Sequence, residues 1–112
     1  MSHPTMSTHG CLRLRTTRDD SGVVCVRLQG ELDIASQGAL RKVLRAIAPA
    51  ATKQLHLNLA ELSFCDSSGL ISLLALHKRA SAAGVTVCMH GAPSMLRRVV
   101  DLIRPETAPI FV

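Results

Sequence analysis

The 112-residue chain contains no tryptophan or tyrosine, and its only two phenylalanines are Phe64 and Phe111. Proteins that hold single-stranded nucleic acids usually stack the bases on aromatic side chains. The formal net charge of +5 therefore does not by itself indicate a nucleic-acid partner. An acidic protein partner would use the same charge, and basic pairs such as Arg41-Lys42 lie in helical patterns, where a solvated face is the default. We expect no direct contact with nucleic acid.

Long apolar runs are also missing, so the sequence predicts no membrane span. The first ten residues, MSHPTMSTHG, lack the apolar centre of a signal peptide. We interpret residues 1–10 as a flexible tail and residues 11–112 as a single domain, located in the cytoplasm. A chain of this size buries about two-thirds of its unfolded surface, which is enough for one core.

The four cysteines form no C-x-x-C pair, and the five histidines show no H-E-x-x-H spacing. These spacings are typical of zinc sites, and without them we predict no metal and no cofactor. The thiols are expected to be reduced and buried; they are Cys11, Cys25, Cys65 and Cys88.

Apolar and polar residues alternate in several short segments, which is typical of strands with one wet face. Segments with apolar residues at helical spacing lie between most of these strands. Ser36 is the expected N-cap of the first helix. The predicted order is β-β-α-β-α-β-α-β. This order indicates an α/β fold, a one-sided β/α superhelix with a mostly parallel sheet of four to five strands. The N-terminal edge strand is antiparallel, and the helices lie mainly on one face.

A polar turn, Cys65-Asp66-Ser67-Ser68-Gly69, joins the strand at residues 55–59 to the following helix. Either Asp66 or Ser67 can cap that helix, because both side chains accept hydrogen bonds from unpaired amides. Loops that follow parallel strands gather at one edge of a sheet. We therefore expect Asp33, residues 66–69 and residues 90–93 to share one surface, with the turn as the functional centre.

Three motifs resemble the STAS domain of bacterial anti-sigma factor antagonists. They are Gly30-Glu31-Leu32-Asp33, the strand Leu57-Asn58-Leu59 that runs into Phe64, and Asp66-Ser67-Ser68-Gly69-Leu70. The resemblance covers residues 23–103. The five-letter turn motif alone is a weak match, but its position after an L-x-L-x-L strand and downstream of G-E-L-D makes the match fairly specific.

The resemblance implies a regulatory switch. In this family the unphosphorylated antagonist binds a kinase-type anti-sigma factor, which supplies ATP and magnesium and phosphorylates a serine of the turn. A phosphatase later restores that serine. The implied phosphorylation site here is Ser67, and the implied partner-binding residues are Asp33, Asp66, Ser67, Ser68 and Gly69.

Other functions must be weighed. A catalytic serine in a hydrolase elbow reads G-x-S-x-G, and no leading glycine stands before Ser67, so we predict no catalytic residues and no enzyme. Some single-domain STAS proteins are subunits of lipid transporters, and others are stressosome scaffolds. Transporter-associated members tend to carry Thr-Ala in place of Ser67-Ser68, which favours the switch.

Overall fold

The computed structural model describes residues 4–47 and 51–112. Within these ranges it contains one sheet of six strands, arranged side by side in chain order, and three α-helices. The strands are β1 Thr5–His9, β2 Leu12–Arg18, β3 Val23–Leu32, β4 Gln54–Cys65, β5 Thr86–His90 and β6 Ile110–Phe111. The helices are α1 Gln37–Ile47, α2 Ser67–Ala82 and α3 Ser94–Ile103, and a 3-10 turn, Ile34–Ser36, precedes α1.

The sheet is antiparallel at its N-terminal side and parallel elsewhere. β1 pairs with β2 and β2 with β3 in antiparallel register, whereas β3, β4, β5 and β6 pair in parallel. This confirms the predicted mostly parallel α/β fold with an antiparallel N-terminal edge. The sheet has six strands, however, and not the four to five expected.

The additional strand is β1, which corrects the predicted flexible tail for residues 5–9. These residues pair with β2 through their backbones, and Gly10 adopts the left-handed φ of 59° at the turn between the strands. Their side chains are mostly exposed. An edge strand forms by backbone hydrogen bonds on one side only, so its sequence does not need the apolar alternation that we used to recognise strands.

One face of the sheet carries the core. Alternate residues of β2 to β5 are buried there, including Leu14, Val26, Leu57 and Met89, and they form one cluster with residues of all three helices. The helices therefore cover this face, as the alternation predicted. The other side of the sheet, which we call the open face, carries exposed side chains such as Arg15 and Asn58.

The thiols differ from the prediction. All four cysteines are free, and Cys88 is buried and Cys65 half-buried. Cys11 and Cys25 are exposed, because Cys11 lies in the turn before β2 and Cys25 points to the open face. In the described ranges, no helix has both the length and the apolar character needed to cross a bilayer.

Candidate functional site

β3 and β4 end together, and this places the two acidic motifs side by side. The last pair of the parallel ladder is Leu32 with Cys65, so Asp33 and Asp66 each follow the final paired residue of neighbouring strands. Adjacent strands lie about 4.8 Å apart. The amide of Asp66 also donates to the carbonyl of Leu32 at 3.4 Å. The sequence-predicted proximity of Asp33 and the turn is thus present in the structure.

Asp66 is the N-cap of α2. Its Oδ1 accepts a hydrogen bond from the amide of Gly69 at 2.8 Å, and its carbonyl accepts the first helical hydrogen bond, from Leu70 at 3.0 Å. Of the two caps that the sequence left open, the structure selects Asp66. Ser67 is consequently the first residue of the helix.

Gly69 is buried against the end of β3. A Cβ atom at this position would lie 2.4 Å from the carbonyl oxygen of Leu32 and 3.0 Å from Sγ of Cys65. Only glycine allows the first turn of α2 to come this close to the strand backbone. Gly69 therefore sets the position of the turn, and its own surface is covered.

Ser67 is exposed, and its Oγ makes no side-chain hydrogen bond within the described part of the chain. Ser68 is half-buried, and its carbonyl accepts a hydrogen bond from Oγ of Ser72 at 2.9 Å. The amides of Ser67 and Ser68 have no helical carbonyl to bind, because they belong to the first turn. The hydroxyl of Ser67 thus lies free at the partly positive end of a 16-residue helix.

Asp33 is held by the 3-10 turn that follows it. Its Oδ1 accepts from the amide of Ala35 at 3.0 Å, and its own amide donates to Oγ of Ser36 at 2.9 Å. This reciprocal arrangement is a capping box. Asp33 is thus the cap of the 3-10 turn. Ser36, the expected cap of the first helix, is the last residue of that turn, directly before α1, and is the buried partner of Asp33.

Three large apolar side chains on the elements that meet at the turn are exposed. Ile34 is 69% exposed, Phe64 50% and Ile71 66%. Ile34 follows Asp33, Phe64 lies two residues before Asp66, and Ile71 lies one helical turn after Ser67. The 3-10 turn that contains Ile34 contacts α2. Exposed apolar surface of this kind is typical of a protein-binding site.

We did not identify these three exposed apolar residues as a surface from the sequence. Ile71 does carry a signal, because it lies off the buried stripe of α2, which includes Leu73, Leu76 and Ala80. A large apolar residue outside the buried stripe of a helix must be exposed or covered by a partner. To predict the exposure of Phe64, we would have needed to know that β4 continues as far as Cys65.

The third loop of the predicted surface lies elsewhere. β5 ends at His90, which is in register with Asn58, so β4 continues for roughly 20 Å beyond that level at 3.3 Å per residue. The imidazole of His90 meets that of His56, with 2.9 Å between Nε2 and Nδ1, on the open face. The expectation that residues 90–93 share the surface of Asp33 and Ser67 is therefore wrong, because the parallel strands differ in length.

The thiol beside the turn is not activated. Burial raises the pKa of Cys65, and the neighbouring charge of Asp66 raises it further. A raised pKa keeps the thiol protonated at neutral pH, and only the thiolate is a good nucleophile. The accessible reactive oxygen of the turn is the hydroxyl of Ser67.

The fold and the turn together define a small β/α domain that presents the start of a helix at the edge of its sheet. A family model described as "Mlab, STAS domain" matches residues 15–109, which is most of the chain. The chain belongs to the STAS domain family.

Solved structures agree with this assignment. The anti-sigma factor antagonist SpoIIAA in its unphosphorylated form is similar with a TM-score of 0.71 and 25% sequence identity, over 88% of this chain and 86% of that one. The phosphorylated form of the Bacillus cell fate determinant SpoIIAA has a TM-score of 0.69 and 24% identity, over 88% and 90% of the two chains. A sulfate transporter family protein from Wolinella succinogenes matches over 74% of this chain and 67% of its own, with 18% identity and a TM-score of 0.59.

Proposed function

We propose that this protein is an anti-sigma factor antagonist that binds a kinase-type anti-sigma factor and is switched off by phosphorylation of Ser67. A phosphatase then restores it. One observation carries the proposal: an exposed serine hydroxyl, without a side-chain hydrogen bond to the described residues, lies at a helix start, and the elements that meet there carry exposed apolar residues. The similarity to SpoIIAA, an antagonist solved in both unphosphorylated and phosphorylated forms, supports it.

The division of labour follows from the residues present. Oγ of Ser67 attacks the γ-phosphorus of ATP, the bond between that phosphorus and the bridging oxygen of ADP breaks, and the hydroxyl proton passes to a base. The partner supplies the nucleotide, the magnesium ion and the base. This chain supplies an accessible hydroxyl on a firmly capped helix, so the acceptor is positioned before the partner arrives.

Phosphorylation acts on the interface rather than on the fold. A phosphate adds about −1.5 to −2 charges at pH 7, next to the carboxylates of Asp66 and Asp33. The free amides of the first helical turn accommodate an anion, so α2 stays folded. Binding the partner would require desolvating that charge amid Ile34, Phe64 and Ile71, and desolvation of an unpaired charge is costly. The phosphorylated protein is therefore released.

The experiment is incubation with candidate kinase-type anti-sigma factors and Mg-ATP, followed by intact-mass and peptide mass spectrometry. We expect one added phosphate on Ser67. Ser67→Ala should abolish it, while the matched Ser68→Ala variant, one residue along the same turn, should retain it. Phosphate on Ser68, or equal partner affinity of the wild type and Ser67→Glu, would contradict the proposal.

A second candidate is a subunit of a lipid transporter. The matched family model carries the description "Mlab", and a transporter family protein is among the similar structures. Ile34, Phe64 and Ile71 would then bind a transporter ATPase, and no phosphate would be needed. Co-purification with such an ATPase at equal yield for wild type and Ser67→Ala would favour this role, whereas a modified Ser67 favours the switch.

A further inference from the structure

The open face carries a concentration of arginines far from Ser67. Arg13 and Arg15 lie on β2 and Arg27 lies on β3, and all three side chains are exposed. The two strands are antiparallel neighbours, and Arg15 is directly opposite Arg27 in the ladder. Directly paired residues of antiparallel strands have Cβ atoms about 4.5–5.5 Å apart. No helix of the described chain covers this face.

The direct pairing of Arg15 with Arg27 does not stabilise the sheet. Like charges placed directly opposite each other destabilise a sheet. The only ion pair among the described residues joins Arg27 to Glu61 of β4, with Nε of Arg27 2.6 Å from Oε1 of Glu61. Arg13 and Arg15 have no acidic partner among the described residues. Glu31 does not pair with them, because it lies beside Cys11 at the far end of β3. Arg13 and Arg15 therefore present two guanidinium groups on one strand that have no acidic partner in the described part of the chain.

Glu61 indicates which ligand chemistry the cluster accepts. One oxygen of its carboxylate, Oε1, accepts from two donors of the Arg27 guanidinium, Nε and an Nη. A carboxylate thus fits this face of the sheet, and charge-assisted hydrogen bonds between guanidinium and carboxylate groups are stronger than neutral ones. Arg13 and Arg15 offer the same donor set without a carboxylate in place.

The surface around the arginines is shallow and elongated. One depression of about 480 Å³ is lined by Arg15, Arg27, Cys25, His56 and Asn58, among others. A second, of about 150 Å³, shares Arg15 and Arg27 and continues to Arg13 and Met6. Together they form a trough that runs along β2 and β3, from Thr17 and Cys25 to Arg13 and Gln29, and that suits an extended segment.

We propose that this trough is a second binding surface, and that its occupant is an acidic, extended segment of a partner protein. Arg13 and Arg15 are two residues apart on one strand, which is about 7 Å. Carboxylates on alternate residues of an extended peptide repeat at the same spacing. The surface is separate from the Ser67 turn, so one partner could occupy both, or two partners could bind at once.

The absence of phenylalanine, tyrosine and tryptophan side chains from the trough favours a peptide over a nucleic acid. Single strands need stacking platforms, and neither phenylalanine lies on the trough, since Phe111 packs against the helix-side core and Phe64 lies near the Ser67 turn.

The test uses a labelled synthetic peptide with glutamate at every second position, titrated with the full chain and followed by fluorescence anisotropy. We expect binding that weakens with salt and at least about tenfold weaker binding by the Arg13→Gln/Arg15→Gln double variant, which loses two charge-assisted contacts. The matched control is Arg41→Gln/Lys42→Gln on α1, which removes the same charge from the other side of the sheet and should bind as the wild type does.

Two further measurements separate the alternatives. Ser67→Ala should bind the peptide normally, so failure of the phosphorylation switch would leave this inference intact. The melting temperature of Arg13→Gln/Arg15→Gln should not fall, because a structural role would lower it and an anion site would not. Equal peptide binding by the trough and control variants, no binding at all, or tighter and arginine-dependent binding of an oligo(U) strand would overturn the proposal.

Discussion

Replacing Gly69 with alanine tests the central geometric claim, that a close backbone approach between α2 and β3 builds the site. The new Cβ would lie 2.4 Å from the carbonyl oxygen of Leu32, a backbone atom fixed in the ladder beside Cys65. An ordinary contact at this point is about 1 Å longer. The first turn of α2 must therefore move away from the end of β3.

The magnitude follows from two opposing effects. Overpacking of a close contact costs about 1–3 kcal/mol. Alanine in a helix is better than glycine by up to about 1 kcal/mol, which offsets part of that cost. We expect a net loss of about 1–2 kcal/mol, or about 4–8 °C in melting temperature for a domain of this size.

Gly38 provides the matched control, because it lies in α1 and its Cβ would meet nothing nearer than Nδ1 of His9 at 3.9 Å. Gly38→Ala should stabilise the protein by about 0.5–1 kcal/mol. Urea unfolding of both variants measures the difference, and phosphorylation of Ser67 reports the displaced turn. A Gly69→Ala protein as stable as the wild type would show that the contact with Leu32 is not close, and would refute the reasoning.

Three further predictions concern the cap, a buried histidine and the arginine cluster. Asp66→Ala should lower the free energy of unfolding by about 0.5–2 kcal/mol, because the amide of Gly69 loses its acceptor, and Asp66→Asn should lose less in the same urea titration. Burial lowers the pKa of His77 below its ordinary value of 6.5, so the unfolded chain binds a proton at a higher pH than the folded chain, and stability is lost as the pH falls below about 6.5. His77→Gln should flatten this pH dependence of the free energy of unfolding, measured by urea titrations between pH 7.5 and about pH 5. An unchanged slope would contradict the assignment to His77. Arg15→Gln should raise stability by about 0.2–1 kcal/mol, because it removes the like-charge pair with Arg27, and a lower melting temperature would show that Arg15 stabilises the fold.

The sequence predicted the elements that have strong periodicity. α1 shows a clear apolar stripe, and its members Leu40, Val43 and Ile47 are buried as expected. The strands that alternate cleanly were also found, because each has one face on the core and one on the open face. The side-by-side order of the strands followed from the placement of the helices on one face, which the alternation indicated.

The lengths of β3 and β4 could not be predicted. Alternation in β4 breaks after Leu59, where Ala60 and Glu61 replace the apolar pattern, and the ladder shows register shifts in the same region. A bulge moves side chains to the other face, so the period of two is lost while the backbone pairing continues. The local pattern therefore ended the strand six residues early, and the exposed position of Phe64 was missed.

The site was predicted in part for the same reason. Asp33 and the serine turn lie together because β3 and β4 end at the same level, at Leu32 and Cys65. The loop after β5 does not join them, because β5 is paired only as far as Asn58. Residues that follow parallel strands share an edge only where the strands end in register, and strand ends are what a sequence determines least well.

The carbonyl of Leu32 ties the two motifs of the site into one unit. It accepts the amide of Asp66, it lies against the bare Cα of Gly69, and the next residue is Asp33, whose carboxylate is fixed by its own capping box. A shift of the first turn of α2 would break the hydrogen bond from Asp66 to β3 and the close contact that Gly69 makes there. We therefore expect a phosphate on Ser67 to act on a partner through charge and hydration rather than through a rearranged helix.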